Sequence, residues 1–157
     1  MIEKASWKAK WIVWKYKGEP KPENLIEKRE VEGNLLLNEG INAIWTLVAG
    51  GVETPYNNAN ARIGVGDSNA SADPSQTGLL GVNQYYKGMD QGYPTYGSGQ
   101  KIVFRATFST SEANFAWNEV TVDNGSASGK NLNRKVVSLG TKTSDQTWVI
   151  QLEILLS

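Results

Sequence analysis

From Trp148 to Leu156 the chain sets Trp148, Ile150, Leu152, Ile154 and Leu156 on one parity and Gln151 and Glu153 on the other. A helix would scatter these apolar residues around its axis, whereas a strand gathers them on one face, so the period of two commits the segment to a sheet. The alternation recurs in Lys101–Phe108, where Ile102, Phe104, Ala106 and Phe108 oppose Lys101, Val103, Arg105 and Thr107. Shorter runs at Arg62–Val65, Phe115–Val122 and Leu132–Leu139 read as strands too, the first stopped by Gly66-Asp67-Ser68-Asn69. Strands at this spacing predict a mainly-β chain, a β-sandwich or jelly-roll-like domain with one short packed α-helix and an extended N-terminal arm.

One short helix is predicted between Asn38 and the Gly50-Gly51 pair. Asn38 is a candidate N-cap, and Glu39 suits the positive end of the helix dipole. Ile41, Ile44, Trp45 and Val48 recur at i, i+3, i+4 and i+7, which predicts a core-facing stripe, and Gly50-Gly51 supplies a left-handed stop. Trp117 and Trp148, like Trp45, sit on apolar faces and are expected in the core.

The N-terminal segment has a different chemistry. Residues 1–17 hold five lysines and one glutamate, interleaved with Trp7, Trp11, Trp14 and Tyr16. The period is again two, but both parities carry large apolar groups, so both faces of this strand must meet something. Gly18-Glu19-Pro20-Lys21-Pro22 then breaks regular structure. A second strand around Lys28–Val31 is one continuation, and an arm reaching a neighbouring molecule is the other. The expectation adopted is an arm and linker over 1–33 and a globular domain over 34–157. Trp7, Trp11, Trp14 and Tyr16 are then the protein-interaction residues, because aromatic side chains dominate interface hot spots.

Composition removes most catalytic chemistry. The chain has no cysteine and no histidine, so thiol nucleophiles, Ser-His-Asp triads and Cys/His zinc sites are excluded. Sixteen basic and sixteen acidic residues cancel, which disfavours nucleic acid as a partner. Neither a signal-peptide core nor a membrane-spanning run is present, which predicts a soluble chain with no membrane partner.

Three local patterns invite chemistry and fall short of it. Gly64-Val65-Gly66 begins a phosphate-cradling turn, but Asn69 stands where the third glycine belongs and no Walker lysine follows. Asp67, Asn69, Ser71 and Asp73 alternate like half a calcium loop, yet Ala72 and Gly78 occupy its glycine and glutamate positions. Turns in which Asp and Asn bond their own backbone explain the stretch better. Glu112, Glu119 and Asp123 are candidate paired carboxylates for glycoside cleavage, set against the plainer reading of acids tied to Arg105, Arg134 or a lysine. No catalytic residue, metal site or cofactor is assigned.

Several segments together resemble small structural proteins of tailed-bacteriophage virions. They are Asn34-Leu35-Leu36-Leu37-Asn38-Glu39-Gly40-Ile41-Asn42-Ala43 and Asn57-Asn58-Ala59-Asn60-Ala61-Arg62-Ile63-Gly64-Val65-Gly66-Asp67-Ser68, the latter running on to Gln76-Thr77-Gly78-Leu79. Ala113-Asn114-Phe115-Ala116-Trp117-Asn118-Glu119 and Leu132-Asn133-Arg134-Lys135-Val136 complete the set. The resemblance spans roughly residues 34–157 and omits the aromatic-basic segment. It implies a capsid decoration (cement) protein on the outer capsid surface, partnered by the major capsid protein and by itself as a homotrimer. A tail, baseplate or fibre component contacting host glycan or another tail protein is the alternative, and a small carbohydrate-active enzyme a third.

Overall fold

The computed structural model describes residue 3, residues 6–125 and residues 128–157; Lys4, one of the N-terminal lysines, lies outside them. Two antiparallel sheets face one another. The first has the order β2-β1-β9-β6, built from β1 (Trp7–Lys17), β2 (Leu25–Glu32), β6 (Lys101–Phe108) and β9 (Gln146–Leu156). The second has the order β3-β8-β7-β4-β5, from β3 (Leu35–Leu36), β4 (Arg62–Gly66), β5 (Gln84–Gly88), β7 (Ala116–Asp123) and β8 (Asn133–Thr141). The fold is mainly β, as the alternation predicts, and among the described residues it has one α-helix, α1 (Asn38–Val48).

The core is the set of inward parities. Trp11, Val13, Phe104, Ala106, Phe108, Ile150, Leu152 and Ile154 from the first sheet meet Ile63, Val65, Trp117, Val120, Val122 and Leu139 from the second. An edge-to-face aromatic series crosses the gap. Tyr85 meets Phe108 at 6.0 Å between ring centroids, Phe108 meets Trp117 at 4.8 Å, and Trp117 meets Trp148 at 4.7 Å.

The helix corrects one expectation. Trp45 is 64 % exposed and Val48 71 %, while the buried helical residues are Gly40 and Ala43. A Cβ on Gly40 would lie 2.5 Å from the Leu132 Cα, so the helix backbone rests directly on the 131–132 segment. Small residues three apart let it approach that closely, and the approach turns the bulkier stripe outward. Leu37 takes the N-cap position with no side-chain hydrogen bond, and Asn38 begins the helix. The glycine stop is as expected: Gly50 has φ of 75°, Gly50 N donates to Leu47 O, and Gly51 N donates to Thr46 O.

The first strand is no arm. Trp7–Lys17 pairs with Leu156–Gln146 of β9 along its whole length and with β2 on its other side, which makes it an interior strand. Ser6 and Ser157 close the far end with reciprocal backbone hydrogen bonds of 2.5 and 2.9 Å. Both faces of β1 do meet something, as its two apolar parities require, but one of them meets this chain's own core.

Candidate functional site

The pleat of β1 divides its aromatic residues. Trp7 and Trp11 point inward with Ala9 and Val13, and Trp14 and Tyr16 point outward with Ile12. Trp11 is fully buried, so it is unavailable to a partner and its assignment to an interaction surface is corrected. Trp7 is partly buried against the same core. Among the described residues neither indole Nε1 has an acceptor, so packing alone holds both rings.

Trp14 and Tyr16 share the solvent side of the first sheet. The Lys28 Nζ lies 5.8 Å from the Trp14 ring centroid and the Arg105 guanidinium 5.6 Å, the latter also 5.6 Å from Tyr93. A lysine, an indole, a guanidinium and a phenol thus form a row across the face, each ring oriented by a neighbouring cation. On this face Ile12, Val103 and Val149 are buried although they point away from the core, with Thr95 bridged to Val103. Charges surround the face: Lys10 lies 3.3 Å and Lys101 3.7 Å from Glu153, and Lys28 is 3.5 Å from Glu30. At its end a cleft of about 800 Å³ opens between Trp7, Lys8, Lys10, Lys101 and Glu32.

Lys15, buried on the inward parity of β1, braces the two sheets. Its Nζ donates to Leu139 O at 2.5 Å, pairs with Glu27 at 3.0 Å and sits 4.3 Å from the Trp148 ring centroid. Gly140, with φ of 102°, leaves the space this ammonium fills, because a Cβ there would come within 3.0 Å of Nζ.

The outer face of the second sheet is a buried polar layer under the loop from Asp67 to Asn83. Glu119 accepts from Leu80 N at 2.9 Å, Gly81 N at 2.8 Å, and Arg134 Nη2 at 2.6 Å. Arg134 in turn donates to Ala70 O at 2.8 Å and Gln76 Oε1 at 3.2 Å. Arg62 holds Asp123 through two bonds of 3.1 and 2.7 Å and stacks 4.6 Å from the Tyr86 ring centroid. Burial pushes the Asp123 carboxyl up, and the hydrogen bond from Arg62 opposes it.

This layer explains the Gly64-Val65-Gly66 pattern. A Cβ on Gly66 would lie 2.3 Å from Glu119 Oε1, and one on Gly64 would lie 2.5 Å from the Tyr86 ring. The glycines make room for side chains of neighbouring strands, with Val65 facing the core between them. Asp73 closes a turn by accepting from Ser75 N at 2.9 Å. Asp67 accepts from Asn83 Nδ2 at 2.7 Å. Among the described residues no group of three or more acidic, Cys or His side chains is placed to hold a metal.

Each of the three candidate carboxylates is engaged by a cation. Glu119 has Arg134, Asp123 has Arg62, and Glu112 accepts from Lys87 Nζ at 2.7 Å, Tyr85 Oη at 2.7 Å and Ser109 N at 2.9 Å. Burial pushes the Glu112 carboxyl up, but these donors together outweigh it and bring it down to about 2. Lys142, behind Glu112, is buried and donates to Ser109 O and Asn114 Oδ1, and burial lowers its ammonium below the usual lysine range. No helix of the described residues is long and apolar enough to cross a membrane. Comparison of the chain with models of protein families, with curated proteins and with solved structures gives no match in any of the three.

Proposed function

We propose that this chain is a structural protein of a tailed-bacteriophage virion, a decoration protein that binds the outer surface of the head and stabilises it by bridging neighbouring copies of the major capsid protein. The observation that carries the reading is the solvent-side face of the first sheet. Trp14 and Tyr16 stand there on a rigid interior strand, with Trp14 oriented by Lys28 and Arg105. Aromatic anchors fixed before binding lose little entropy on docking, which suits a protein whose task is to hold a surface. The resemblance over residues 34–157 supplies the virion context, and the aromatic face supplies a means of attachment.

Labelled protein located on purified particles tests the reading. Labelling spread over the shell is the expected result, with occupancy lowered by Trp14→Ala. Labelling confined to the tail transfers the same docking face to the tail-component reading. Absence from the particle overturns both.

A further inference from the structure

β2 is an edge strand of eight residues, Leu25–Glu32, with β1 on one side only. The other edges are short or occupied: β3 has two residues, β5 has five, and Val103 of β6 is bridged by Thr95. Native proteins blunt long edges with a covering segment, proline, a β-bulge or charged residues. Among the described residues β2 relies on the irregular step at Ile26 and on charge: Glu27, Lys28, Arg29, Glu30 and Glu32.

Charges on an edge repel a second strand only in registers that oppose like signs, and here one register does the reverse. Two copies of a strand paired antiparallel about a two-fold axis keep residues of one face opposite that same face, so the axis passes beside a single residue. Lys28 and Glu30 lie on the outer face, opposite Trp14 and Ile12 of β1; Glu27, Arg29 and Val31 lie on the inner face, opposite Lys15, Val13 and Trp11. An axis at Lys28 or at Glu30 would set like charges against each other on the exposed face. An axis at Glu27 would oppose two carboxylates and draw the irregular step at Ile26 into the ladder. An axis at Arg29 instead sets each Lys28 opposite the second copy's Glu30. Lys28 Nζ and Glu30 Oε1 are already 3.5 Å apart within one chain, so four charges of alternating sign close into a ring. The like pair this register creates is Arg29 with Arg29, on the inner face. There the guanidinium donates to Ser138 O of its own β8, which draws the charge away from the axis.

We infer that β2 is the self-association edge of this protein, and that a second copy of the chain pairs with it antiparallel about Arg29 to join the two first sheets into one. The assembly is a two-fold pair, in place of the trimer implied by the resemblance, and it does not rest on the virion reading.

Sedimentation of the purified full chain tests it. The expected mass is twice that of one chain and falls on dilution. Lys28→Glu should give monomer, and adding Glu30→Lys to it should restore the pair. The Lys28 and Glu30 side chains are 49 % and 48 % exposed, so neither change disturbs the core. Because the chain has no cysteine, introduced thiols report the register directly. A mixture of Lys28→Cys and Glu30→Cys chains should cross-link faster than either alone, since in this register a residue and its own copy at position 28 are diagonal neighbours, about 8 Å apart. A monomer at every concentration, a trimer, a pair unaffected by Lys28→Glu, or fastest cross-linking by Lys28→Cys alone would each overturn the inference.

Discussion

Glu119 and Arg134 form an ion pair of 2.6 Å with both side chains wholly buried. They stand on neighbouring strands, β7 and β8, on the face of the second sheet that looks away from the hydrophobic core. The remaining capacity of both groups is spent on the loop above, where Glu119 takes the backbone N–H of Leu80 and Gly81 and Arg134 takes Ala70 O. The pair therefore fastens a long loop that has few apolar anchors of its own.

Removing one partner leaves the other charged and buried. Glu119→Gln or Arg134→Met is expected to cost about 3–5 kcal/mol, read from the unfolding midpoint in denaturant. The double replacement Glu119→Leu with Arg134→Met should cost less than the sum of the single ones, because it leaves neither charge stranded. Additive losses would show that the ion pair is not the coupling element.

Trp11 and Trp14 are three residues apart and should separate stability from binding. Trp11→Ala empties a fully buried site and is expected to cost about 3–5 kcal/mol of stability. Trp14→Ala is expected to lower the melting temperature far less than Trp11→Ala, while weakening attachment to particles by about 2 kcal/mol if the ring is a hot spot. Thermal unfolding together with co-sedimentation on particles measures both. Equal destabilisation by the two changes would remove Trp14 from the docking face.

A chain beginning at Asn34 would lack β1 and β2, and with them the hydrogen-bonding partner of β9 along all of Trp7–Lys17. It is expected to show no cooperative unfolding transition by calorimetry. A sharp transition in that shortened chain would restore the division between arm and domain at residue 33.

Glu112 predicts an acid-sensitive contact. Its carboxyl is held at about 2, below its ordinary 4.5, so the ion pair with Lys87 contributes stability above the unfolded value and loses it as pH falls toward the folded one. Between about pH 5 and pH 2 the wild type should lose more stability than Glu112→Gln, which has no proton to bind there. Parallel loss in both proteins would place the acid sensitivity elsewhere.

The sheet-forming segments were legible because each buries one parity. Lys101–Phe108 and Trp148–Leu156 announce their inner faces, and both form strands over those residues. β5 escaped notice because Gln84-Tyr85-Tyr86-Lys87-Gly88 has no apolar alternation: Tyr86 lies over Gly64 on the outer polar layer, and Tyr85 reaches Phe108 at the sheet edge. The position of β1 was hidden for a related reason. Two apolar parities announce contact on both sides of a strand, and the second contact is as well met by Lys28, Arg105 and Trp14 shielding Ile12 as by another molecule. The helix misled because Gly40 and Ala43, lacking bulk, are silent in a hydrophobic pattern that weighs side-chain size.

The pairing of β1 with β9 joins strands that lie far apart in the sequence, and the entropy of closing that long loop falls on the folding rate. All strands of the second sheet lie between Leu35 and Thr141, so that layer can pair without waiting for the closure. Until β9 docks, the Trp11 face of β1 has only β2 beside it. Refolding of the full chain should therefore be slow, and most prone to aggregation before that last pairing forms.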